Sequence, residues 1–436
     1  MAKDLVQTIL IMVLSGLTVL GLGGATAIAS ELEYSSTDEW LKGQEPSRLR
    51  QSEAAERFVT WLEVDTDVAL KGYLVSALTE DGKAVVVRWK DIPEPTKLAV
   101  SEAAHRFGVE VRFENAPFSL DEYLRVTDRA LSFSKSSRSS GIIYGGATGI
   151  GRDTKSIEIL YSYVGDRGER ASALAQFADA VKGTDTVPVT LSEGDLTIGG
   201  SSNLSSGPVA TSPVPTRSND TAPFAAGGYM RSTTSTSVCS TGFAIAVGGI
   251  RYATTARHCA QNYVARDGSA TYGTGTRAMS NIGAARVLNA TGRGYMFDGR
   301  WDNSVGYNKR VSGLWDVKVG DHVCTSGGNS GVHCGLEVTN LWVMINDGYG
   351  DQVPTIKAET DTLGVAVVAG DSGGPVLVPL TDGTVGAVGM IQAHTSPASG
   401  YVWDARDPNN HGKYDVLFTS TRTIVSSIPG ATLVTN

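Results

Sequence analysis

The sequence predicts two domains of different fold class, an α/β domain over residues 30–195 and an all-β domain over residues 223–436. Helical and strand-like hydrophobic patterns alternate in the first half, whereas short apolar runs separated by Gly and Asp turns dominate the second. Residues 196–222 between them are rich in Ser, Thr, Pro and Gly, which is typical of an exposed linker, and we expect a processing site there, with the mature chain starting within residues 205–228. All four cysteines lie in the second half.

The composition narrows the classes of function. The formal net charge is −8 and only 19% of the residues are charged, so nothing favours a nucleic-acid partner. The 51 glycines suit short strands and many turns better than long charged helices. The composition therefore favours a globular, β-rich protein.

The N-terminus has the pattern of an export signal. Lys3 precedes the apolar run "LVQTILIMVLSGLTVLGLGG", and "ATAIAS" offers small residues for cleavage after Ala29. The rival interpretation is an uncleaved membrane anchor, because the run nearly spans a bilayer. We expect residues 1–29 to be a signal peptide and the mature protein to be secreted and not membrane-bound.

Two strand–helix–strand units are predicted in the first half. The first comprises "KAVVVRWK", "EPTKLAVSEAAHRF" and "GVEVRFE", and the second comprises "SIEILYSYV", "ERASALAQFADAVKG" and "TVPVTL". Between them, Ser119 and Glu122 have the spacing of a helix capping box.

The second half reads as strands joined by turns. "GFAIAVGGIRYATT" predicts a hairpin turning at Gly248-Gly249, and "TRTIVSSIPGATLV" predicts a short closing helix.

Beyond an export signal, four cysteines indicate two disulfides with three possible connectivities. Nearest-neighbour pairing would join Cys239 to Cys259 and Cys324 to Cys334. No Cys-x-x-Cys spacing occurs, so we expect neither a metal site nor a cofactor.

Two short stretches carry the candidate chemistry. In "AGDSGGPV", Ser372 stands between an aspartate and two glycines, where a tight turn could expose a nucleophilic hydroxyl and aim N–H groups at a developing oxyanion. In "ATTARHCA", His258 ends a strand-like run beside Cys259. A Cys239–Cys259 disulfide would hold that imidazole where a serine hydroxyl can reach it.

These stretches resemble chymotrypsin-like serine proteases. "TTARHC" is similar to the family's histidine box and "GDSGGP" to its nucleophile box, while "GDHVCTSGGNSGVHCGLEV" resembles the bacterial streptogrisin and α-lytic branch. The resemblance covers about residues 224–436. It implies two six-stranded Greek-key β-barrels and, for the first half, a pro-region that assists folding or inhibits the enzyme.

The resemblance also assigns roles. It implies a triad of His258, an aspartate and Ser372, in which Asp298 in "GRGYMFDGRW" is favoured, with Asp302 and Asp316 as alternatives. The aspartate would hold the imidazole tautomer and stabilise the imidazolium.

Within the serine turn, the N–H groups of Gly370 and Ser372 would form the oxyanion hole. Asp371 is similar to the family residue that pairs with a charged N-terminus or another local partner.

The specificity pocket is inferred by the same resemblance. Counting back six residues from Ser372 places Ala366 at the pocket base, with no acid between Thr362 and Gly370, so the pocket should reject charged side chains. His394, at the pocket wall, would favour small or medium apolar residues, or alternatively donate a hydrogen bond to Glu. Gln392 replaces the serine usual in that strand.

We therefore predict a secreted serine endopeptidase, made as a pro-enzyme, that hydrolyses protein or peptide substrates through an acyl-enzyme. The alternative is a catalytically silent homologue that only binds proteins. A third interpretation is an esterase with the same triad chemistry; "GDSGG" at residues 370–374 has the Gly-x-Ser-x-Gly spacing of α/β-hydrolases, but an apolar strand-like run follows it where their nucleophile elbow opens a helix.

Overall fold

The computed structural model describes residues 36–65, 70–194, 196, 215–259, 262–280, 282–304, 308–346, 352–360, 364–395, 402–404 and 407–435. The predicted signal peptide and residues 197–214 of the predicted linker lie outside the described residues. We call residues 36–196 the N-terminal region and residues 215–435 the C-terminal region. None of the helices in these described ranges combines the length and apolar character that a bilayer crossing requires.

The N-terminal region holds most of the helices. The α-helices of the described residues are α1 (Thr37–Lys42), α2 (Pro46–Thr60), α3 (Glu94–Phe107), α4 (Leu120–Ser136), α5 (Arg170–Lys182) and the closing α6 (Thr421–Ser426). A π-helical turn, Trp61–Asp65, extends α2, and a 3-10 turn, Arg138–Ser140, follows α4. The predicted capping box is present, because Ser119 Oγ accepts from the Glu122 N–H and the Glu122 carboxylate accepts from the Ser119 N–H.

Both predicted strand–helix–strand units are confirmed. The strands of this region are β1 (Tyr73–Leu78), β2 (Ala84–Trp89), β3 (Glu110–Asn115), β4 (Ile142–Thr148), β5 (Ile150–Gly151), β6 (Ile157–Tyr163) and β7 (Val189–Glu193). Strands β2 and β3 pair in parallel across α3, and β6 and β7 pair in parallel across α5. A parallel pair requires such a crossover connection, and a helix supplies it in both units.

The C-terminal region is almost entirely β, as predicted. Its strands are β8 (Phe224–Ala226), β9 (Tyr229–Ser232), β10 (Val238–Ser240), β11 (Gly242–Val247), β12 (Ile250–Ala256), β13 (Tyr263–Ala265), β14 (Thr276–Met279), β15 (Ala285–Leu288), β16 (Gly292–Phe297), β17 (Asn308–Leu314), β18 (His322–Gly327), β19 (Gly331–Asn346), β20 (Gln352–Glu359), β21 (Pro375–Pro379), β22 (Val385–Ala393), β23 (Val402–Asp404), β24 (Asp407–His411), β25 (Asp415–Ser420) and β26 (Ala431–Leu433). The hairpin of β11 and β12 turns at Gly248 and Gly249, whose φ angles are +60° and +80°, a conformation that favours glycine at both positions.

The sheets cross the boundary between the two regions. One five-stranded sheet has the order β14-β15-β12-β11-β26, and a three-stranded sheet has the order β10-β9-β13. The largest sheet runs β7-β6-β4-β19-β18-β21-β22-β17-β16-β8, so strand β4 of the N-terminal region pairs directly with β19. The prediction of two six-stranded barrels stays a prediction.

A shared hydrophobic core joins the regions. Phe118 and Tyr123 from the N-terminal region are fully buried in the same cluster as Leu336, Val338 and Phe418 from the C-terminal region. Burying a side chain of this size contributes about 1.5–3 kcal/mol. The N-terminal region is therefore docked by apolar packing as well as by strand pairing.

Residues 215–222, which the composition predicted to be exposed linker, instead contain two buried charged residues. Arg217 and Asp220 are both 0% exposed. An Asp220 oxygen accepts from the Ala225 N–H at 2.8 Å, and burial raises the pKa of this carboxyl to about 7. Ser, Thr and Pro content does not reveal that charged side chains have internal partners. This segment belongs structurally to the C-terminal region.

Candidate active site

Ser372 lies in a tight turn between residue 369 and strand β21. Gly370 and Gly373 adopt φ angles of +99° and +87°, which L side chains rarely adopt. A Cβ on Gly373 would lie 2.3 Å from Thr255 Oγ1 and 2.5 Å from Ser240 O. The Ser372 carbonyl also accepts from the Ser240 N–H at 2.8 Å. The glycines thus let the turn press against neighbouring backbone and fix the position of Ser372.

Two N–H groups of this turn meet no acceptor in the described part of the chain. The Asp371 N–H donates to Val368 O, and those of Gly373 and Gly374 donate to other carbonyls of the fold. Among the described residues, no acceptor meets the N–H of Gly370 or of Ser372. Unpaired N–H groups flanking a serine are what an oxyanion site requires.

The side chain of Asp371 is the internal anchor of the turn. It is fully buried, and its oxygens accept from the N–H groups of Asn329 at 3.1 Å, Ser330 at 3.0 Å and Val368 at 2.8 Å. The Ser330 hydroxyl donates a fourth bond. Burial is the largest cause that moves the pKa of Asp371, raising it to about 6, while these donors oppose the shift. At neutral pH the carboxylate form therefore holds the turn.

A disulfide ties the segment of His258 to strand β10, beside the serine turn. His258 follows strand β12, and Cys259 forms the predicted disulfide with Cys239. Cys259 Sγ lies 3.7 Å from the Ser372 carbonyl oxygen. The second predicted disulfide, Cys324–Cys334, is also present. The structure therefore places the two boxes that carry the candidate histidine and serine side by side.

His258 is held as a neutral imidazole. Its Nε2 is buried and has no hydrogen-bond partner in the described part of the chain. Burial, with a smaller contribution from the positive charge of Arg286, lowers the pKa of His258 to about 4. Within the described ranges, His258 makes no hydrogen bond with Ser372 or Asp298.

Asp298 is bound by the N-terminal region. It follows β16, is 0% exposed, and accepts the Thr37 N–H on Oδ1 at 3.0 Å and the Thr37 hydroxyl on Oδ2 at 2.9 Å. Thr37 is the first residue of α1. Both oxygens of the favoured triad acid are thus engaged by a residue 261 positions earlier in the chain.

The two alternative acids have other environments. Asp302 has an exposed side chain and pairs with Arg300 at 3.2 Å. Asp316 forms an ion pair with Arg422, in which Arg422 Nε lies 2.8 Å from each carboxylate oxygen. Asp298 is the buried member of the three, as a triad acid needs to be.

The candidate pocket residues precede and follow the serine turn along the chain. Ala366 is fully buried, and its carbonyl accepts from the Thr325 hydroxyl at 2.6 Å. His394 is half-buried and follows β22. Gln392, buried in β22, donates from Nε2 to Ala284 O at 3.1 Å. Gln392 therefore bonds to the loop before β15.

Sequence reasoning missed two residues that contact this site, Thr37 and Arg217. The capping pattern around Thr37 signals a helix start but not its partner in a distant segment. Arg217 stands in a stretch whose composition indicates a linker, and no local pattern marks it as buried.

Comparisons with known proteins give limited similarity. No family model and no curated protein matches the chain. A glutamic-acid-specific serine protease that uses a histidine triad in substrate binding is 20% identical, with a TM-score of 0.35 over 48% of this chain and 100% of its own. Protease A of Thermobifida fusca is 22% identical, with a TM-score of 0.33 over 49% of this chain and 98% of its own. TM-scores below 0.5 do not establish a common fold.

Proposed function

We propose that this chain is a secreted serine endopeptidase made as a pro-enzyme. The observation that carries the proposal is the serine turn, in which the N–H groups of Gly370 and Ser372 meet no acceptor among the described residues. The Ser372 carbonyl oxygen lies 3.7 Å from Sγ of Cys259, the disulfide-bonded neighbour of His258. A binding surface needs neither unpaired donors beside a serine nor a histidine-bearing segment packed against the serine turn.

In the proposed reaction, Ser372 Oγ attacks the carbonyl carbon of the scissile peptide bond and His258 takes the hydroxyl proton. The N–H groups of Gly370 and Ser372 donate to the oxyanion of the tetrahedral intermediate. The imidazolium then protonates the leaving amine as the C–N bond breaks, leaving an acyl-enzyme. Water then attacks the acyl carbon as His258 takes its proton, the bond from that carbon to Ser372 Oγ breaks, and the imidazolium returns the proton to Oγ as the carboxylic acid product leaves.

The proposed reaction needs a different partner for Asp298 than the one described. As triad acid, Asp298 would accept from Nδ1 of His258, whereas here it accepts from Thr37. We infer that residues 30 to about 214 act as the pro-region and that α1 holds the acid away from the histidine. Removal of α1 would free Asp298, and its negative charge would raise the low pKa of His258 toward the range of a general base.

For substrate choice we propose a pocket with Ala366 at its base. A buried methyl group offers no partner for a charged side chain, so Arg and Lys should be rejected. His394 would narrow the pocket toward small or medium apolar residues, or alternatively donate a hydrogen bond to Glu.

The silent-homologue alternative is favoured by one observation, since the described residues include no hydrogen bond between His258 and Asp298. Labelling of the secreted protein with a fluorophosphonate that reacts with activated serines separates the two functions. We expect stoichiometric labelling of the processed wild type and none of Ser372→Ala. A processed, folded wild type that stays unlabelled and does not cleave peptides would support the binding module instead.

A further inference from the structure

Arg217 forms an unusually dense set of internal hydrogen bonds. Its side chain is 0% exposed, and its two terminal nitrogens donate to four carbonyls and one hydroxyl. The acceptors are Gly227 O at 3.0 Å, Gly327 O at 3.3 Å, Phe297 O at 2.9 Å, Gly299 O at 3.0 Å and Ser326 Oγ at 2.8 Å. Five partners for one buried guanidinium indicate a specified position rather than incidental burial.

Two of these acceptors flank Asp298. Phe297 and Gly299 are its chain neighbours, and their carbonyls receive two bonds from the same nitrogen of Arg217. One side chain therefore holds the peptide unit before Asp298 and the carbonyl of the residue after it. The direction in which the Asp298 carboxylate points depends on the backbone between these two carbonyls.

A third acceptor, Gly327 O, connects Arg217 to the serine turn. Gly327 is the last residue of strand β18 and lies just before Asn329 and Ser330, whose N–H groups donate to Asp371. A Cβ on Gly327 would lie 2.0 Å from the Asp371 carboxyl carbon, so backbone and carboxylate are in direct contact. Displacing Gly327 would therefore displace Asp371, the residue adjacent to Ser372.

The charge of Arg217 suits the same arrangement. Burial lowers the pKa of its guanidinium to about 10, and attraction to Asp298 and Asp371 opposes that change. The side chain therefore stays a cation at neutral pH, close to two buried acids. Attraction between charges is reciprocal, so the cation also favours the ionised form of Asp371.

We propose that Arg217 is a positioning residue for the reaction, which joins the Asp298 segment to the turn that anchors Asp371. The inference rests on the proposed function of Ser372, His258 and Asp298. Lysine cannot replace it, because a single ammonium offers three donors at one point and cannot span five acceptors.

The test compares Arg217→Lys and Arg217→Met with the control Lys318→Met. Lys318 is another buried cation of the C-terminal region, 1% exposed, and its Nζ bonds to Asp321 at 2.7 and 2.8 Å. We expect both Arg217 variants to lose about 100-fold in kcat with little change in KM, the scale of a small misplacement of catalytic groups. Lys318→Met should lose stability but keep wild-type kcat per folded molecule.

The pH dependence of kcat/KM distinguishes a positioning role from a general loss of packing, because lost packing alone would not shift it. Besides Arg217, the titratable groups at this cluster are Asp298, Asp371 and His333, and burial together with the Arg217 charge lowers the pKa of His333 to about 3. Without the cation, the pKa of Asp371 should rise above about 6, so the acid limb of kcat/KM should move to higher pH in Arg217→Met. Arg217→Lys keeps the positive charge, so the acid limb of its kcat/KM profile should stay at the wild-type pH.

Wild-type kcat in Arg217→Lys would overturn the inference, as would an equal loss of kcat in Lys318→Met. If Arg217→Met fails to fold, Arg217→Lys decides alone, because it keeps the charge and most of the volume. These results are distinct from failure of the proposed function, in which processed wild-type protein itself is neither labelled by the fluorophosphonate nor active.

Discussion

Removing the Thr37 hydroxyl should activate the precursor. In Thr37→Val the side chain keeps its shape but can no longer donate to Asp298 Oδ2, a buried bond of 2.9 Å. A hydrogen bond to a charged group is worth about 1.5–3 kcal/mol. The lost hydrogen bond destabilises only the state in which Thr37 of α1 is bound to Asp298, because a released Asp298 can accept from His258 or water. The equilibrium for releasing α1 should therefore shift by about 10- to 150-fold, at 1.4 kcal/mol per factor of ten.

The assay is the initial rate at which freshly purified full-length precursor reacts with a fluorophosphonate at Ser372. That rate is proportional to the fraction of molecules in which the triad can assemble, so it should rise by the same factor. Appearance of the processed form should accelerate in parallel if processing is autocatalytic.

Thr127→Val is the matched control. Thr127 is 1% exposed, and its hydroxyl donates to Leu124 O at 2.9 Å, within its own helix of the N-terminal region. It makes the same change in the same region without contacting Asp298. Equal labelling rates for Thr37→Val and the wild type, or equal acceleration by Thr127→Val, would refute the role given to Thr37.

Further predictions concern the reaction, the processing site and specificity. Ser372→Ala and His258→Ala should each lower peptide hydrolysis by about 10⁴-fold or more, because triad residues act as a unit, and wild-type proteolysis by purified Ser372→Ala would disprove the mechanism. N-terminal sequencing of the processed protein should find a start within residues 205–214, since Arg217 must stay attached to fill its buried site. A fully active species that starts at residue 30 would contradict the proposal that the N-terminal region is a pro-region. Peptides varied only at the residue before the cleaved bond should exclude Arg and Lys, and a dominant preference for either would show that Ala366 is not the pocket base.

Local features of the fold could be predicted because their causes are local. A continuous apolar run predicted the strand before α3 and an alternating pattern the strand after it, and the Ser119 capping box and the Gly248-Gly249 turn follow from hydrogen bonding and φ preferences of neighbouring residues. Both disulfides followed from nearest-neighbour pairing of four cysteines.

Long-range contacts could not be predicted in this way. The bond from Thr37 to Asp298 joins residues 261 positions apart, and Arg217 reaches carbonyls up to 110 positions away. Such contacts depend on the packed arrangement of both regions, which no periodicity encodes. The burial of Arg217 and Asp220 also opposes the general rule that charged residues in Ser- and Pro-rich segments face solvent.

The pairing of β4 and β5 with β19 has a consequence for the liberated enzyme. Ala147 pairs with Met344 and Gly151 with Asn340, so strands of the N-terminal region cover this stretch of β19. If cleavage removes them, β19 is left with a row of open donors and acceptors that any extended polypeptide can complete. Maturation would thus leave an unpaired sheet edge on the enzyme. The departing segment, an unfolded substrate or a second copy of the chain could pair with this edge.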